Sequence, residues 1–343
     1  MSKILLTGAT GFIGSHIAEY FSGKGEDIKC LVRENSDVSF LKTLGVQMFT
    51  GDVTDEQSIN KALVDCETII HIAGYARDWG RKKDFKRINV EGTLNILRAA
   101  KKQNISKVII TGSVSSYGEE NCFIKKDETS PYNSHYPCFL DHVLPCKMNY
   151  YRDSKAQLTV QSIEFANKNN LNLIIIEPAW VFGEREFQTG FFEYIKSVKN
   201  GTSLLPGSAK NKFHVIYAKE LARAYFMAYK SNITGVQRII IGNREAELQQ
   251  NIYKIFCEKA GLKKPGNIPK ALIYPVALIM ELFATIFKFK NPPLLTRGRV
   301  NMFYDNIEYD TTKAKKILGF ETELKLDESI EKTVNWYKDK GYL

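Results

Sequence analysis

The sequence predicts an α/β fold, in which a doubly wound parallel sheet is followed by a smaller, mostly helical C-terminal lobe. Short apolar runs alternate with amphipathic stretches over the first two thirds of the chain, as in a parallel sheet with helical crossovers. The turn TGATGFIG, at residues 7–14, joins the first apolar run to the first amphipathic stretch. With 343 residues, 44% of them hydrophobic, the chain is long enough for two lobes around a large core.

The individual elements follow from the same patterns. Six apolar runs predict buried strands, at residues 4–7, 28–32, 46–49, 68–72, 108–111 and 173–177. The amphipathic stretches between them predict helices, at residues 12–22, 38–44, 59–64, 85–102 and 151–169. Right-handed crossovers place the carboxyl ends of these strands at one edge of the sheet, which is where ligands bind in open α/β folds.

Three glycines mark the first turn as a dinucleotide site. Gly8, Gly11 and Gly14 lie between a strand and a helix, so the backbone can approach a pyrophosphate at the helix N-terminus. The sheet is therefore predicted to be of the Rossmann type. The predicted contacts in this turn and the first helical turn are Gly8, Thr10, Gly11, Phe12, Ile13 and Gly14.

The chain is expected to divide into two interwoven regions. Residues 1–178 are predicted to form the dinucleotide-binding domain, with an insertion-like loop at residues 119–149. Residues 179–343 are predicted to form the substrate lobe. The two are expected to interweave through residues 213–240 and the C-terminal segment.

Charge and cysteine content indicate which partners and which cellular compartment to expect. Lysine and arginine number 48 against 38 aspartate and glutamate residues, and the net charge of +10 suits a phosphate-bearing ligand, an anionic membrane face or nucleic acid. The basic residues are spread along the chain, so nucleic acid is not expected as a partner. The six cysteines include no CxxC pair, and because Met1-Ser-Lys runs directly into the first strand, no signal peptide is expected. Both observations favour a cytoplasmic protein with reduced thiols.

Six motifs follow one another in a family-specific order: TGATGFIG, Gly51-Asp-Val, His71-Ile-Ala-Gly, Asn89-Val-Glu-Gly-Thr, Ser113 and Tyr151-Arg-Asp-Ser-Lys. In this order they resemble the extended short-chain dehydrogenases/reductases of the NAD-dependent epimerase/dehydratase superfamily. Leu31-Val-Arg-Glu-Asn-Ser-Asp and Ala76-Arg-Asp-Trp-Gly are similar to stretches of the 3β-hydroxysteroid dehydrogenase and dihydroflavonol reductase branch. The likeness covers most of the chain and is thin over residues 119–149 and 262–300. One departure is Glu177, which stands where relatives often carry arginine.

A tyrosine and a lysine one helical turn apart suit the chemistry of a carbonyl reductase. Such an enzyme must protonate the carbonyl oxygen, and a free tyrosine, with a pKa of about 10, is a weak acid at neutral pH. Lys155 lies four residues after Tyr151, so on a helix its ammonium group stabilises the phenolate and can reach the ribose hydroxyls. The spacing by itself is more typical of surface residues, and it is the ordered motifs that favour the catalytic interpretation.

Ser113 and Asn89 complete the predicted catalytic set. Ser113 follows the strand at residues 108–111, and its motif counterpart in the family hydrogen bonds the substrate carbonyl, with Ser115 as the alternative. The resemblance implies that the Asn89 amide supports the hydrogen-bond network of the site, and a purely structural role is the alternative.

The end of the second strand distinguishes NADP from NAD. An acidic residue there would bind the adenosine ribose and repel a 2′-phosphate, whereas this chain has Arg33. A guanidinium can pair with the phosphate through two hydrogen bonds, so NADP is favoured and NAD is the alternative. The resemblance adds contacts to the adenine, the pyrophosphate and the nicotinamide, respectively Asp52 and Val53, Ala73 and Gly74, and Pro178 and Val181.

Two features of the sequence favour an apolar substrate over a nucleotide sugar. The arginine and asparagine that nucleotide-sugar relatives usually carry are not evident in Phe213-His-Val-Ile-Tyr-Ala-Lys-Glu or Glu177-Pro-Ala-Trp-Val-Phe-Gly. Residues 271–287, ALIYPVALIMELFATIF, are apolar except for Glu281, and Lys288 and Lys290 follow. This run is too short and too interrupted for a membrane span, which favours a buried helix of the substrate lobe or an interfacial helix that touches anionic lipid through residues 271–290. Either suits a small hydrophobic substrate.

Four residues of the loop before Tyr151 have side chains that can bind zinc, namely His135, Cys138, His142 and Cys146. The prolines between them argue against the continuous helix that this spacing would need. The resemblance implies no zinc requirement, so no metal is expected.

Together these observations predict an NAD(P)-dependent oxidoreductase that interconverts a ketone or aldehyde and an alcohol on a sterol-like, flavonol-like or lipid-derived substrate. Tyr151 is the expected general acid or base. A nucleotide-sugar epimerase with retained NAD and a non-catalytic NADP-binding sensor are the alternatives. The resemblance implies a homodimer.

Overall fold

The computed structural model describes residues 3–118, 124–187, 190–201, 205–207 and 211–343. The strands in chain order are β1 (Lys3–Thr7), β2 (Ile28–Val32), β3 (Gln47–Thr50), β4 (Cys66–His71), β5 (Lys107–Thr111), β6 (Leu173–Pro178), β7 (Trp180–Phe182), β8 (Leu205–Pro206), β9 (Lys212–Phe213), β10 (Val215–Tyr217), β11 (Val236–Ile241), β12 (Glu247–Leu248) and β13 (Asn267–Ile268). The α-helices are α1 (Phe12–Gly23), α2 (Ser39–Thr43), α3 (Glu56–Ala62), α4 (Lys82–Phe85), α5 (Gly92–Lys102), α6 (Lys147–Asn169), α7 (Phe191–Lys199), α8 (Ala218–Lys230), α9 (Gln249–Ala260), α10 (Lys270–Ile286), α11 (Arg297–Tyr304), α12 (Thr312–Leu318) and α13 (Leu326–Asp339). A π-helical segment, Lys86–Glu91, joins α4 to α5, and a 3₁₀ turn, Val114–Tyr117, follows β5.

Seven strands form one parallel sheet, in the order β11-β6-β5-β4-β1-β2-β3. Every neighbouring pair in it is parallel. The chain winds outward from β1 in one direction and from β4 in the other, so the strand order reverses between them. A crevice at the carboxyl ends of such strands is the usual ligand site of this architecture. The predicted α/β fold with a Rossmann-type sheet is confirmed.

The sheet is buried on both faces, because its strands are apolar nearly throughout. In β6 all six residues are buried, which is typical of a parallel strand covered by helices on both sides. Helices α1 and α8 cover one face, where Phe21 and Tyr225 are fully buried. Helices α3, α5 and α6 cover the other, where Ile59, Ile96 and Leu158 are buried.

The C-terminal lobe has a separate core that is rich in aromatic rings. Phe182 of β7, Phe191 of α7 and Phe256 of α9 pack together, and the rings of Phe191 and Phe256 stack with their centroids 4.4 Å apart. Aromatic pairs of this kind add to the stabilisation that burial alone provides. Among the described residues, none of the helices combines the length and apolar character needed to cross a bilayer.

Two elements differ from the sequence prediction. The single helix expected at residues 85–102 is divided into α4, the π-helical segment and α5. Strand β11, at the edge of the main sheet beside β6, was not predicted. It follows α8, so residues 213–240 contribute both a helix that packs on the main sheet and a strand that extends it.

Candidate active site

The turn between β1 and α1 is closed so tightly that side chains have no room at two of its glycines. A Cβ atom on Gly14 would lie 2.0 Å from the carbonyl oxygen of Gly8. Gly8 has a φ of +78°, and a Cβ there would lie 2.6 Å from the backbone nitrogen of Ala73, at the end of β4. The two glycines therefore hold the turn against both α1 and β4, which fixes where a ligand can approach the backbone.

The start of α1 fits the pyrophosphate of a dinucleotide. Gly11 is the N-cap residue, and no side chain caps the helix there. The N–H groups of the first helical turn are thereby presented to an anion together with the positive end of the helix dipole. Phe12 and Ile13 are half-buried in this turn, whereas Thr10 is exposed beside it.

A chain of buried polar groups leads from this turn across the sheet. The Thr7 hydroxyl, one residue before Gly8, lies 2.7 Å from His71 Nδ1, and His71 Nε2 lies 3.1 Å from Thr93 Oγ1. Thr93 donates a hydrogen bond of 2.6 Å to the carbonyl oxygen of Asn89. Burial and the charge of Lys155 lower the pKa of His71 to about 3, so its ring stays neutral at neutral pH.

Asn89 connects this series of hydrogen-bonded groups to α6, the helix that carries the predicted catalytic pair. Its Nδ2 donates a hydrogen bond of 2.8 Å to Ser154 Oγ, and its Oδ1 accepts one of 2.6 Å from the N–H of Tyr75. Ser154 in turn donates to the carbonyl oxygen of Tyr151. The π-helical segment widens one turn of the helix at Asn89, a distortion that is frequent at functional sites.

Lys155 is a fully buried ammonium group at the centre of these contacts. Its Nζ donates a hydrogen bond of 2.9 Å to the carbonyl oxygen of Thr111, the last residue of β5. Burial lowers the pKa of Lys155 to about 8, so the group is charged at neutral pH and close to titrating. A Cβ on Gly74 would lie 3.2 Å from Asn89 Oδ1, which is tight, and 3.7 Å from this nitrogen, so a side chain at position 74 would crowd the Asn89 amide.

Tyr151 lies one turn before Lys155, and the lysine nitrogen is 6.0 Å from the centroid of its ring. Its side chain is half-buried, so the ring reaches the protein surface. The Tyr225 hydroxyl lies 2.7 Å from Thr111 Oγ1, on the opposite side of the β5 terminus. The predicted acid and its cationic partner thus lie together at the carboxyl edge of the sheet.

Two serine hydroxyls follow β5 at the same edge. Ser113 Oγ and Ser115 Oγ are 2.8 Å apart, and the N–H of Ser115 donates to Ser113 Oγ. Both residues are buried. The pair can orient one hydroxyl toward a ligand while the other supports it, which is the arrangement expected of a carbonyl hydrogen-bond donor.

Glu177 anchors the turn that bears these serines, a role that the sequence motifs did not reveal. It is fully buried in β6, and its carboxylate accepts hydrogen bonds from the hydroxyls of Tyr117 and Tyr132. Arg238 of β11 lies 3.6 Å away. Burial raises the pKa of Glu177, while Arg238 and the two hydroxyls oppose that shift.

The remaining predicted cofactor residues line the same edge on both sides of the strand-order reversal. Arg33 is exposed directly after β2, and Asp52 follows β3, where its carboxylate accepts from the N–H and hydroxyl of Thr54. Val53 is buried beside Gly92. The nicotinamide contacts expected from the resemblance, Pro178 and Val181, lie at the end of β6 and in β7.

The four potential zinc ligands do not converge on one point, because Cys138 and Cys146 hydrogen bond to each other whereas His135 has other partners. His135 lies between two carboxylates, with Nε2 2.7 Å from Asp141 and Nδ1 3.0 Å from Asp153. Cys138 and Cys146 are buried and His142 is exposed. Within the described ranges, no group of three or more His, Cys, Asp or Glu side chains could hold a metal ion. Residues 119–123 of the predicted loop lie outside those ranges.

Comparison with known proteins extends the likeness along the whole chain. The pattern of the NAD dependent epimerase/dehydratase family matches residues 4–242. A putative dihydroflavonol 4-reductase of Synechocystis sp. is 23% identical over 98% of this chain and 95% of its own length. A decarboxylating sterol-4-alpha-carboxylate 3-dehydrogenase of Candida albicans is 24% identical over 99% and 98%. The crystal structure of UDP-glucose 4-epimerase of Thermotoga maritima, with UDP-glucose, is similar with a TM-score of 0.76 and 20% identity, over 98% of this chain and 99% of that one.

Proposed function

Since the chain belongs to the NAD dependent epimerase/dehydratase family, we propose that it is an NADP-dependent oxidoreductase that interconverts a ketone or aldehyde and an alcohol on a hydrophobic substrate. The observation that carries this proposal is the buried Lys155 ammonium group beside Tyr151, with a pKa of about 8. Among the described residues, this cation donates its hydrogen bond to the carbonyl oxygen of Thr111, and a cation in such a desolvated position lowers the free energy of a neighbouring phenolate.

The proposed mechanism assigns one proton transfer to the protein. When bound, NADPH would supply the hydride for reduction of the carbonyl carbon, and NADP⁺ would accept it in oxidation of the alcohol. In the reducing direction the Tyr151 hydroxyl gives its proton to the carbonyl oxygen of the substrate, and the ammonium group of Lys155 stabilises the phenolate that remains. Ser113 or Ser115 donates a hydrogen bond to the same oxygen. Oxidation of the alcohol reverses the proton transfer, with the phenolate as the base.

Arg33 supports NADP over NAD within this proposal. It lies exposed directly after β2, on the side of the sheet where the adenosine half of a dinucleotide is expected. A guanidinium in that position can pair with a 2′-phosphate through two hydrogen bonds, and it offers no acceptor for a ribose hydroxyl.

The hydrophobic substrate class rests on the relatives and on the sequence. Relatives over nearly the full length are described as acting on a dihydroflavonol and on a sterol carboxylate. Strand β7, which follows β6, offers the half-buried apolar side chains of Trp180 and Val181.

The decisive experiment measures consumption of NADPH and of NADH against a panel of hydrophobic ketones and aldehydes. We expect turnover that prefers NADPH and that falls by about 1,000-fold in Tyr151→Phe, because the variant has no proton to give. Tyr150→Phe is the matched control and should keep the wild-type rate, since Tyr150 packs against Phe85 instead. NADPH binding, measured by fluorescence titration, should be unchanged in both variants.

Three other outcomes would contradict the proposal in distinguishable ways. Equal or faster turnover with NADH would contradict the NADP assignment alone. A nicotinamide that copurifies and is not consumed, together with epimerisation of a nucleotide sugar, would replace the oxidoreductase with an epimerase. Tight NADPH binding with full activity in Tyr151→Phe would remove the proposed role of Tyr151.

A further inference from the structure

Helix α10 exposes an apolar stripe along its full length. Its outward side chains recur at the three- and four-residue spacing of one helical face, and they are Leu272, Val276, Ile279, Leu282, Phe283 and Ile286. Each is between 43% and 66% exposed. Contiguous apolar surface of this kind is uncommon on proteins without a partner and marks an interaction site.

The opposite face of α10 explains why this stripe carries no acidic charge. Ile273, Ala277 and Ala284 are buried there with Glu281, the one acidic residue of the helix. The Glu281 carboxylate accepts hydrogen bonds from the backbone N–H and the guanidinium of Arg297, at 3.1 and 2.8 Å. The residue that interrupts the apolar run in the sequence therefore points into the protein.

The apolar surface continues beyond the helix. Phe287, Phe289 and Leu294 follow α10 and are each more than half exposed. On the other side, Phe139 and Val143 are exposed at 62% and 72%. The stripe on α10 and these five side chains together form what we call the apolar platform.

Two lysines border the platform, and the neighbouring aspartates are paired with basic side chains. Lys288 and Lys290 are exposed directly after α10. Asp78 is paired with Arg299, and Asp141 lies 2.7 Å from His135. The platform therefore combines exposed apolar side chains with positive charge, the combination that suits an anionic bilayer surface.

We propose that the apolar platform docks on an anionic lipid bilayer, with α10 lying in the interface. The apolar stripe enters the boundary between headgroups and acyl chains, and Lys288 and Lys290 meet the anionic headgroups. An apolar protein partner would account for the stripe but not for the lysines that follow it. Docking in this way does not depend on the proposed reaction.

Docking would bring the borders of the candidate active site to the membrane. The indole N–H of Trp79, in the loop after Gly74, donates to the carbonyl oxygen of Phe289. Arg297 donates to the carbonyl oxygens of Phe139 and Leu144, in the segment that leads into α6. If the proposed function holds, a lipid-like substrate can pass between bilayer and site beside these loops.

The test is cosedimentation of the full chain with vesicles of phosphatidylcholine, alone or with about a quarter of phosphatidylglycerol. We expect binding to the anionic vesicles, at least about tenfold weaker binding to the neutral ones, and a decrease with added salt. Ile279→Glu should weaken binding at least tenfold. Its control is Val64→Glu, because Val64 and Ile279 are both 54% exposed and Val64 lies away from the platform.

A second variant keeps the test valid if Ile279→Glu does not fold. Lys288→Glu/Lys290→Glu should lower binding by about 30-fold, since each lysine near an anionic surface contributes about 1 kcal/mol. Lys101→Glu/Lys102→Glu, with the same charge change at the end of α5, should bind as the wild type does. Absence of vesicle binding, or equal losses in test and control variants, would overturn the proposal. A dimer that Ile279→Glu dissociates, without vesicle binding, would overturn it in favour of a second copy of this chain.

Discussion

The carboxyl edge of the sheet and helix α10 place their side chains in opposite environments. At the edge, polar groups such as His71, Asn89 and Lys155 are almost completely buried. On α10, large apolar groups such as Leu272 and Ile286 are mostly exposed. Each arrangement is unfavourable unless something compensates for it.

The compensation differs between the two regions. Buried polar groups at the edge are satisfied internally, through the chain from Thr7 by way of His71 and Thr93 to Asn89. The exposed apolar side chains of α10 are not covered in this way, because they face solvent. The edge is therefore a preformed site, while the platform is completed by a surface that the chain does not supply.

The largest effect on cofactor affinity and stability is expected from adding a side chain to the tight turn at the carboxyl edge of the sheet. Gly14→Ala puts a methyl group 2.0 Å from the Gly8 carbonyl oxygen, so the turn must shift. We expect NADPH affinity to fall by about 100-fold or more and the free energy of unfolding to fall by about 3 kcal/mol. Fluorescence titration and urea denaturation measure the two effects.

The same change elsewhere in α1 gives the control. A Cβ on Gly23 meets nothing within 4 Å, so Gly23→Ala should leave NADPH binding unchanged and add up to about 1 kcal/mol of stability. Wild-type affinity in Gly14→Ala would show that the turn is not a rigid cradle, and the contrast between a preformed edge and an incomplete platform would fail.

A smaller effect is expected beneath the platform. Glu281→Gln removes the charge that balances Arg297, and both side chains are buried. We expect a loss of about 3 kcal/mol in the free energy of unfolding, because a buried cation is left without its counterion. NADPH affinity should not change, since the pair lies under α10 rather than at the carboxyl edge.

The control for this prediction is an exposed ion pair. Lys254 and Glu258 are 3.6 Å apart on α9, and both side chains are well exposed. Glu258→Gln should have no measurable effect on the denaturation midpoint. A comparable loss in both variants would mean that the Glu281 pair stabilises the lobe no more than a surface pair does.

The sequence predicts the parts of the site that depend on local spacing. Tyr151 and Lys155 share a helix, and Gly8 and Gly14 share one turn, so motif spacing alone brings each pair together. Parallel strand order then brings the strand ends to one edge. The Rossmann-type sheet could be predicted for the same reason, because alternating apolar runs and amphipathic stretches are local patterns.

The parts that escaped prediction depend on contacts between distant segments. The hydrogen bond of Thr7 to His71 joins β1 to β4, and that of Tyr117 to Glu177 joins the 3₁₀ turn after β5 to β6. Strand β11 follows helix α8, and its place in the main sheet is established by its pairing with β6, which is distant in sequence. Glu281 interrupts an apolar run in the sequence, and only its pairing with Arg297 shows that it faces inward. The π-helical segment at Asn89 has no pattern that sets it apart from the helix around it.

The smallest expected effect is a change in how the free energy of unfolding depends on pH, and it concerns His71 at the carboxyl edge. The pKa of His71 is lowered from its usual value of 6.5 to about 3 in the folded protein, first by burial and then by Lys155. The unfolded chain therefore binds a proton that the folded chain does not, and stability falls as the pH is lowered from 6.5 toward 3, by up to about 1.4 kcal/mol per pH unit. Residues 262–304, which contain α10, include no histidine. Burial also lowers the pKa of His16 and of His214, so part of the acid sensitivity should remain when His71 is replaced. Urea denaturation at pH 7, 6 and 5 should give a shallower decline in His71→Gln than in the wild type, and His142→Gln, at an exposed position, should follow the wild type. The slope rather than the level of stability is decisive, because the substitution also removes hydrogen bonds. Equal slopes in His71→Gln and the wild type would mean that the buried polar chain at the edge takes up a proton without unfolding.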